Sequence, residues 1–185
     1  QGAIIDDILF KNYKKTLNSK DNVTFLNPKN SQKEYYIETG WASSGSDNIK
    51  LPLVDTIWEN KGNKILTPNN SITLEWNNGD GLIFKKKIEL DEKFLFKISQ
   101  SIKNNSDKSF QFYPYAQITR RGGIEGTQIY ILHEGFLGVF GDELKEENFD
   151  DIEKEKFVTN NYKGWLGITD KYWLTAIVPE KGSEF

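Results

Sequence analysis

The chain has 185 residues with no cysteine and one histidine, and its formal net charge is −3, from 24 Lys and Arg against 27 Asp and Glu. This length is enough to bury a core as one domain, 1–185, and the lack of cysteine excludes disulfides and thiolate metal sites. Arg120 and Arg121 are the only arginines, and the acidic balance argues against nucleic-acid binding, which needs a basic face.

Alternation of apolar and polar residues at period two predicts strands along most of the chain. In chain order, the first predicted strands are residues 3–10, 23–26, 34–41, 55–58 and 72–76. Turn-forming residues separate them, and no stretch keeps an apolar period of 3.6 residues. The pattern therefore predicts an all-β fold.

The middle of the chain carries the clearest strand pattern. Leu82, Phe84 and Ile88 fall on one face of residues 82–90, while Lys86 interrupts this apolar row. Gly79-Asp80-Gly81, just before it, is predicted to be a tight turn that needs positive φ.

The next alternating segments are residues 94–103 and 110–115, on either side of the turn formers at 104–108. A loop of about five residues between two alternating segments is typical of an antiparallel hairpin. We therefore expect these two segments to pair with each other.

The last predicted strands are residues 128–140, 165–169 and 173–178. Between them, residues 142–156 are strongly charged, with Leu144, Phe149 and Ile152 as apolar anchors. This composition favours a solvated loop or a short surface helix, and an acidic docking strip for a basic partner is the alternative. No apolar run approaches the length of a transmembrane helix, and nothing at the start resembles a signal peptide.

The sequence does not indicate a group of catalytic residues. His133 is the only histidine, so a histidine-based zinc site is disfavoured. On a strand, His133 and Glu134 would point to opposite faces and could not act as an acid–base pair. We expect a structural role for His133, with a ligand or catalytic role as the alternative.

Other residues that could catalyse a reaction or bind a ligand also have structural explanations. The carboxylate pairs are adjacent in sequence, so each would either split across the faces of a strand or sit in a loop; they are Asp6-Asp7, Glu146-Glu147 and Asp150-Asp151. Arg120-Arg121 beside Gly122-Gly123 could meet an anion, but a salt-bridged strand end is the commoner case. The tryptophans could stack on sugars, but alternation with polar residues favours core packing; they are Trp41, Trp58, Trp76, Trp165 and Trp173.

Several segments resemble the large periplasmic domain of YidC-type insertases, especially those of alphaproteobacteria. They are LTP at 66–68 leading to LEWNNGDGLIF at 74–84, YPY at 113–115 with ITR at 118–120, YILHEG at 130–135, and GWLGITDKYW at 164–173 before Val178-Pro179. Asp6-Asp7 also fits the opening strand of that domain. The segments occur in the family's order and cover nearly the whole chain.

The resemblance implies a two-sheet antiparallel β-supersandwich similar to galactose mutarotase. It implies a periplasmic domain of a bacterial inner-membrane protein that inserts and folds inner-membrane proteins, alone or with the Sec translocon and its SecD–SecF accessory. The insertase's working groove lies among membrane helices, so the resemblance transfers no catalytic, metal, cofactor or ligand residue to this sequence.

The family's domain normally continues with further strands beyond Val178-Pro179, then a helical segment leading to the membrane. We therefore expect the chain to be excised from a longer protein, without its final strands and membrane helices. A sheet edge left without its neighbour favours edge-to-edge self-association.

The residue patterns and the family resemblance leave three functions open. The first is a non-catalytic insertase domain that contacts the Sec machinery or nascent membrane proteins. The others are an aldose-epimerase-like enzyme and a carbohydrate-binding module on the same fold. A single histidine argues against the enzyme, because that family's chemistry uses a histidine pair with a carboxylate base.

Overall fold

The computed structural model describes residues 1–44, 48–122, 133–152 and 163–180. Its described part is all-β apart from one helical turn, which confirms the predicted fold class. The strands are β1 Ile8–Lys14, β2 Asn22–Leu26, β3 Tyr35–Ser43, β4 Glu59–Asn60, β5 Ile72–Asn77, β6 Leu82–Leu90, β7 Phe96–Asn104, β8 Phe112–Arg120, β9 Gly135–Phe140, β10 Glu143–Asn148, β11 Gly164–Thr169 and β12 Leu174–Ile177. The helical turn is α1, Phe149–Ile152, and no helix in the described part is long and apolar enough to cross a membrane.

The chain forms two compact units. The first unit contains residues 1–4 and 39–115, and the second contains residues 5–38 and 116–185. The division falls inside β3 and inside β8, which pair with each other. The single-domain prediction for 1–185 stays a prediction, as does the likeness to galactose mutarotase.

The first unit is built on a four-stranded antiparallel sheet with the order β4-β5-β6-β7. Leu82, Phe84 and Ile88 of β6 are buried, as the period-two pattern predicts. Leu82, Phe84 and Trp41 of β3 form the core cluster. Partly buried apolar residues pack around it, namely Ile49, Leu51, Trp58, Trp76, Ile102, Phe110 and Phe112.

The predicted turn between β5 and β6 is confirmed. Gly79 and Gly81 have φ angles of 82° and 91°, in the left-handed region that glycine tolerates best. Asn78 is buried, and its side-chain oxygen accepts hydrogen bonds from the backbone N–H groups of Asp80 (2.8 Å) and Leu82 (3.0 Å).

The predicted hairpin between residues 94–103 and 110–115 is wrong. β7 pairs with β6, whereas β8 pairs with β3. The ring of Phe112 meets that of Phe84 edge-on, with centroids 5.9 Å apart. Phe112 is partly buried against the core cluster in this arrangement.

The second unit contains the antiparallel pair β1-β2 and a four-stranded antiparallel sheet with the order β10-β9-β11-β12. Phe10 of β1 contacts Phe25 of β2 and Trp173, with ring centroids 5.0 Å and 4.7 Å away. Ile168 of β11 is 1% exposed. Aromatic packing and this buried sheet face therefore supply the apolar contacts of the unit.

Two predicted strands begin later than expected because turns interrupt the extended backbone. Asp7 has a φ of 50°, and β1 starts only at Ile8. Residues 55–58 are not a strand, since Thr56 closes a turn: its N–H donates to the Leu53 carbonyl and its hydroxyl accepts from the Leu53 N–H. The strand in that region is β4, Glu59–Asn60.

The charged segment 142–156 was predicted to be a loop or a surface helix, and this is wrong for its first half. Glu143–Asn148 forms strand β10, paired in continuous register with β9 from Glu143↔Phe140 to Asn148↔Gly135. Pairing with an apolar neighbour strand compensates for the polar composition. α1 follows directly, and residues 153–156 lie outside the described part.

Candidate functional site

A buried lysine lies at the centre of the first unit. Lys86 falls between Phe84 and Ile88 on the inward face of β6 and is 1% exposed. Its Nζ donates to the carbonyl of Thr39 at 2.5 Å, with the Ala3 carbonyl 3.5 Å away. The interruption of the apolar row at Lys86 was visible in the sequence, but its partners are distant along the chain.

Indole rings complete the surroundings of this ammonium group. The ring centroids of Trp58 and Trp41 lie 5.1 Å and 5.8 Å from Nζ, within the range of cation–π attraction. The two indoles stack with centroids 6.4 Å apart. Lys86 thus joins strands β3 and β6 of the core, and its contacts are structural.

Gln100 of β7 is the register partner of Lys86. Its side-chain amide donates to the carbonyl of Gly40 at 3.3 Å. A Cβ atom at Gly40 would lie 2.7 Å from the Tyr115 ring, so glycine is needed there for close packing. Lys86 and Gln100 together bind two successive carbonyls of β3.

A second polar cluster lies at the end of β8, in the second unit. A guanidinium nitrogen of Arg120 lies 3.1 Å from a carboxylate oxygen of Asp170, and both side chains are largely buried. The guanidinium carbon also lies 4.8 Å from the Tyr35 ring centroid and 5.6 Å from that of Phe149. The predicted salt-bridged strand end is confirmed for Arg120.

Tyr35 extends this cluster into the interior. Its hydroxyl donates to the Thr175 hydroxyl at 2.6 Å, and both residues are buried. Burial raises the pKa of Tyr35 above its ordinary value, and the Thr175 hydrogen bond opposes the shift. The neutral phenol of Tyr35 therefore lies in the same cluster as the Arg120–Asp170 ion pair.

Arg121 makes a separate ion pair at the same strand end. Its Nε lies 3.1 Å from a carboxylate oxygen of Glu34. Glu34 is buried and also accepts a hydrogen bond from the backbone N–H of Asn30 at 2.8 Å. Both arginines therefore already have carboxylate partners within the chain, which disfavours an anion site here.

Comparison with known proteins adds evidence from the whole chain. The family described as the YidC periplasmic domain matches residues 1–185. The chain belongs to this family. It is therefore a periplasmic domain of a bacterial membrane protein insertase.

Curated relatives carry the name membrane protein insertase YidC. The protein of Pelagibacter ubique is 46% identical over 185 residues, which cover 100% of the chain and 33% of that protein. Those of Beijerinckia indica and Rickettsia akari are 38% and 41% identical, over 100% of the chain and 31% and 33% of their own lengths. The chain thus spans about a third of these relatives' length.

In this YidC periplasmic domain, His133 precedes β9 instead of lying within a strand. Its Nε2 lies 3.1 Å from the carbonyl oxygen of Phe136, a contact that fits a structural role. The predicted strand 128–140 is shortened to Gly135–Phe140, and its residues 128–132 lie outside the described part. The opposite-face argument for His133 and Glu134 therefore does not apply, and the structural role of His133 stays a prediction.

The adjacent carboxylates of this YidC family member show no catalytic pairing within the described residues. Glu146 and Glu147 lie on successive positions of β10, opposite Leu137 and Phe136, and so point to opposite faces as predicted. Nowhere in the described part do three His, Asp or Glu side chains gather into a metal-binding group.

Four of the five tryptophans, Trp41, Trp58, Trp76 and Trp173, pack against other apolar residues. Trp41 is buried, and Trp58 and Trp76 pack against its cluster. Trp173 contacts Phe10, and Tyr13 lies edge-on to it with centroids 5.1 Å apart. These contacts fit the core-packing interpretation better than a sugar-stacking platform.

Proposed function

We propose that this chain is a non-catalytic part of an insertase that inserts and folds inner-membrane proteins. On this proposal it contributes contacts with the Sec translocon, its SecD–SecF accessory or nascent membrane proteins. The observation that carries the proposal is the match of the whole chain to the YidC periplasmic domain family.

The polar clusters support a structural use of the interior. The charged groups of Lys86, Arg120 and Glu34 each contact a carbonyl or an opposite charge within the chain. A reaction centre would need a reactive group that a substrate can reach. The aldose-epimerase and carbohydrate-binding alternatives gain no support from these contacts.

Site-specific cross-linking of the full-length parent tests the proposed contacts. The chain has no cysteine, so single cysteines can be placed at Ser99 on the exposed face of β7 and at Ala176 on the exposed face of β12. We expect adducts with Sec components or nascent membrane proteins from at least one position. A parent that inserts normally but gives no adduct from either face would contradict the partner contacts.

Activity of the same full-length parent separates an accessory role from a catalytic one. Serine in place of exposed Leu17 or Tyr172 should leave insertion unchanged. Loss of insertion from such a surface change, with the domain still folded, would contradict the accessory role.

We also propose that the isolated chain self-associates through a sheet edge. β12 is the outermost strand of its sheet, and Leu174 is 49% exposed. Light scattering should show a mass that rises with concentration. Leu174→Lys should reduce this association, because an edge lysine opposes strand pairing, and a monomer at all concentrations would refute the proposal.

A further inference from the structure

One end of the sheet in the first unit carries three large, exposed apolar side chains. Ile72 pairs with Ile88, so the loop before β5 and the turn after β6 leave the sheet at the same end. Ile65 lies in that loop and is 72% exposed, and Phe94 and Leu95 lie in that turn and are each 62% exposed. We call these three residues the apolar tip.

The turn that carries Phe94 and Leu95 is held in a fixed shape. The Asp91 carboxylate accepts hydrogen bonds from the backbone N–H groups of Lys93 (2.7 Å) and Leu95 (2.9 Å). The Asp91 N–H donates to the Leu95 carbonyl at 3.0 Å. The turn therefore presents its apolar side chains in a preorganised position.

Phe94 adopts an unfavourable backbone conformation in this turn. Its φ is 66°, in the left-handed region where glycine or asparagine is favoured over a bulky side chain. Backbone outliers of this kind cluster at functional sites, and the Phe94 side chain is 62% exposed, which points to a use for this turn.

The loop that carries Ile65 is ordered as well. The side-chain amide of Asn60 donates to the carbonyl of Asn63 at 2.9 Å, and that of Asn63 donates to the carbonyl of Ser71 at 3.2 Å. Thr67 and Asn70 exchange two backbone hydrogen bonds of 3.1 Å and 3.0 Å. Both parts of the apolar tip thus rest on hydrogen-bonded turns.

We propose that the apolar tip inserts into the headgroup boundary of a lipid bilayer. Three side chains on two turns offer far less than the roughly 800 Å² per partner of a standard protein interface. Apolar residues on a protruding turn can, however, enter a bilayer interface individually. The family places the domain in an insertase of the membrane, which gives this surface a bilayer to meet.

Lysine side chains stand next to both parts of the apolar tip. A lysine directly precedes each apolar element, as Lys64-Ile65 and Lys93-Phe94, and both lysines are exposed; the acids Asp91 and Glu92 before Lys93 are exposed as well. A lysine can lay its alkyl stem along apolar surface while its ammonium group reaches lipid phosphates. The proposal does not depend on the Sec contacts proposed above.

Labelling of the cysteine-free chain tests the insertion directly. Leu95→Cys carries the environment-sensitive dye NBD, and Leu17→Cys, from a fully exposed leucine of the second unit, is the matched control. With vesicles of phosphatidylethanolamine and phosphatidylglycerol, the dye at residue 95 should shift to the blue and be quenched by spin-labelled lipid. No response at residue 95, an equal response at residue 17, or a shift without lipid that grows with protein concentration would overturn the proposal.

Vesicle flotation with Phe94→Asn gives an independent readout. Asparagine tolerates the left-handed conformation, so this variant should fold, which denaturation checks. We expect its vesicle affinity to fall about tenfold, as about 1.4 kcal/mol of lost insertion would give, while Leu17→Ser stays unchanged. Equal flotation of the chain and Phe94→Asn, or flotation of neither, would also overturn the proposal, whether or not the Sec contacts exist.

Discussion

At the scale of single residues, two cationic side chains of the described part, Lys86 and Arg120, lie among partners from the same chain. Burial of an ammonium or guanidinium group is costly unless nearby groups replace its hydration. Lys86 has the Thr39 carbonyl and two indoles, and Arg120 has Asp170 and two aromatic rings. Substitution of Lys86 or Arg120 should therefore lower the free energy of unfolding.

Lys86→Ala should lower the free energy of unfolding by about 2–4 kcal/mol, because it removes buried methylenes and leaves the Thr39 carbonyl without this donor. The neighbouring Lys87 is exposed and pairs with Glu89 on the surface, so Lys87→Ala should cost about 0.5 kcal/mol or less. Urea denaturation of both variants measures the difference. Equal midpoints would show that Lys86 contributes nothing beyond a surface lysine.

The buried Tyr35 phenol makes stability depend on alkaline pH. Its folded pKa is raised above the value of about 10 for an unfolded tyrosine. The stabilisation is therefore complete below about pH 10 and is lost as pH rises from there through the folded pKa. Tyr35→Phe should cost about 1 kcal/mol near neutral pH, from the lost Thr175 hydrogen bond, and should flatten the alkaline loss.

Denaturation of Tyr35→Phe and the unmodified chain between about pH 8 and 11 tests this dependence. Tyr113→Phe is the matched control, because Tyr113 is 48% exposed. It should follow the unmodified chain at every pH. Parallel curves for Tyr35→Phe and the unmodified chain would contradict the assignment to Tyr35.

At the scale of elements, turn chemistry sets the register of the central sheet. Gly79 and Gly81 supply the positive φ angles, and Asn78 supplies an acceptor for two backbone N–H groups. These constraints act within five neighbouring residues, so the turn was visible in the sequence. The same turn brings Trp76 opposite Phe84 and thereby builds the core cluster.

Asn78→Ala should lower the free energy of unfolding by about 1–3 kcal/mol, because two backbone donors at the turn lose their acceptor. Asn77→Ala is the control, since Asn77 is exposed and accepts one backbone hydrogen bond at this turn, from the Gly79 N–H at 2.9 Å. Its cost should be about 0.5 kcal/mol. Thermal and chemical denaturation compare the two, and a larger loss for Asn77→Ala would contradict the role given to Asn78.

At the scale of the whole molecule, two strands continue from one unit into the other. β3 and β8 each contribute residues to both units. We predict that residues 1–185 unfold in one cooperative transition, as expected for a domain.

Hydrogen exchange measured by mass spectrometry tests this cooperativity. Peptides from β6 of the first unit and β11 of the second unit should report the same free energy of opening. Two clearly different values, or two separate thermal transitions, would show that the units unfold independently. The single-domain prediction would then be wrong.

The sequence by itself determined the features that local chemistry controls. Period-two alternation placed β5, β6 and β11, because side chains on a strand alternate between faces. Glycine at positive φ placed the turn before β6. The segment order also carried the family resemblance, which the match over 1–185 confirmed.

Only the tertiary structure decided which distant groups meet. The pairing of β8 with β3 and the burial of Lys86 depend on partners far along the chain. Their energies come from nonlocal hydrogen bonds and packing, which composition and periodicity do not encode. For the same reason, the ion pair of Arg120 could be expected from the sequence, but its partner Asp170 could not.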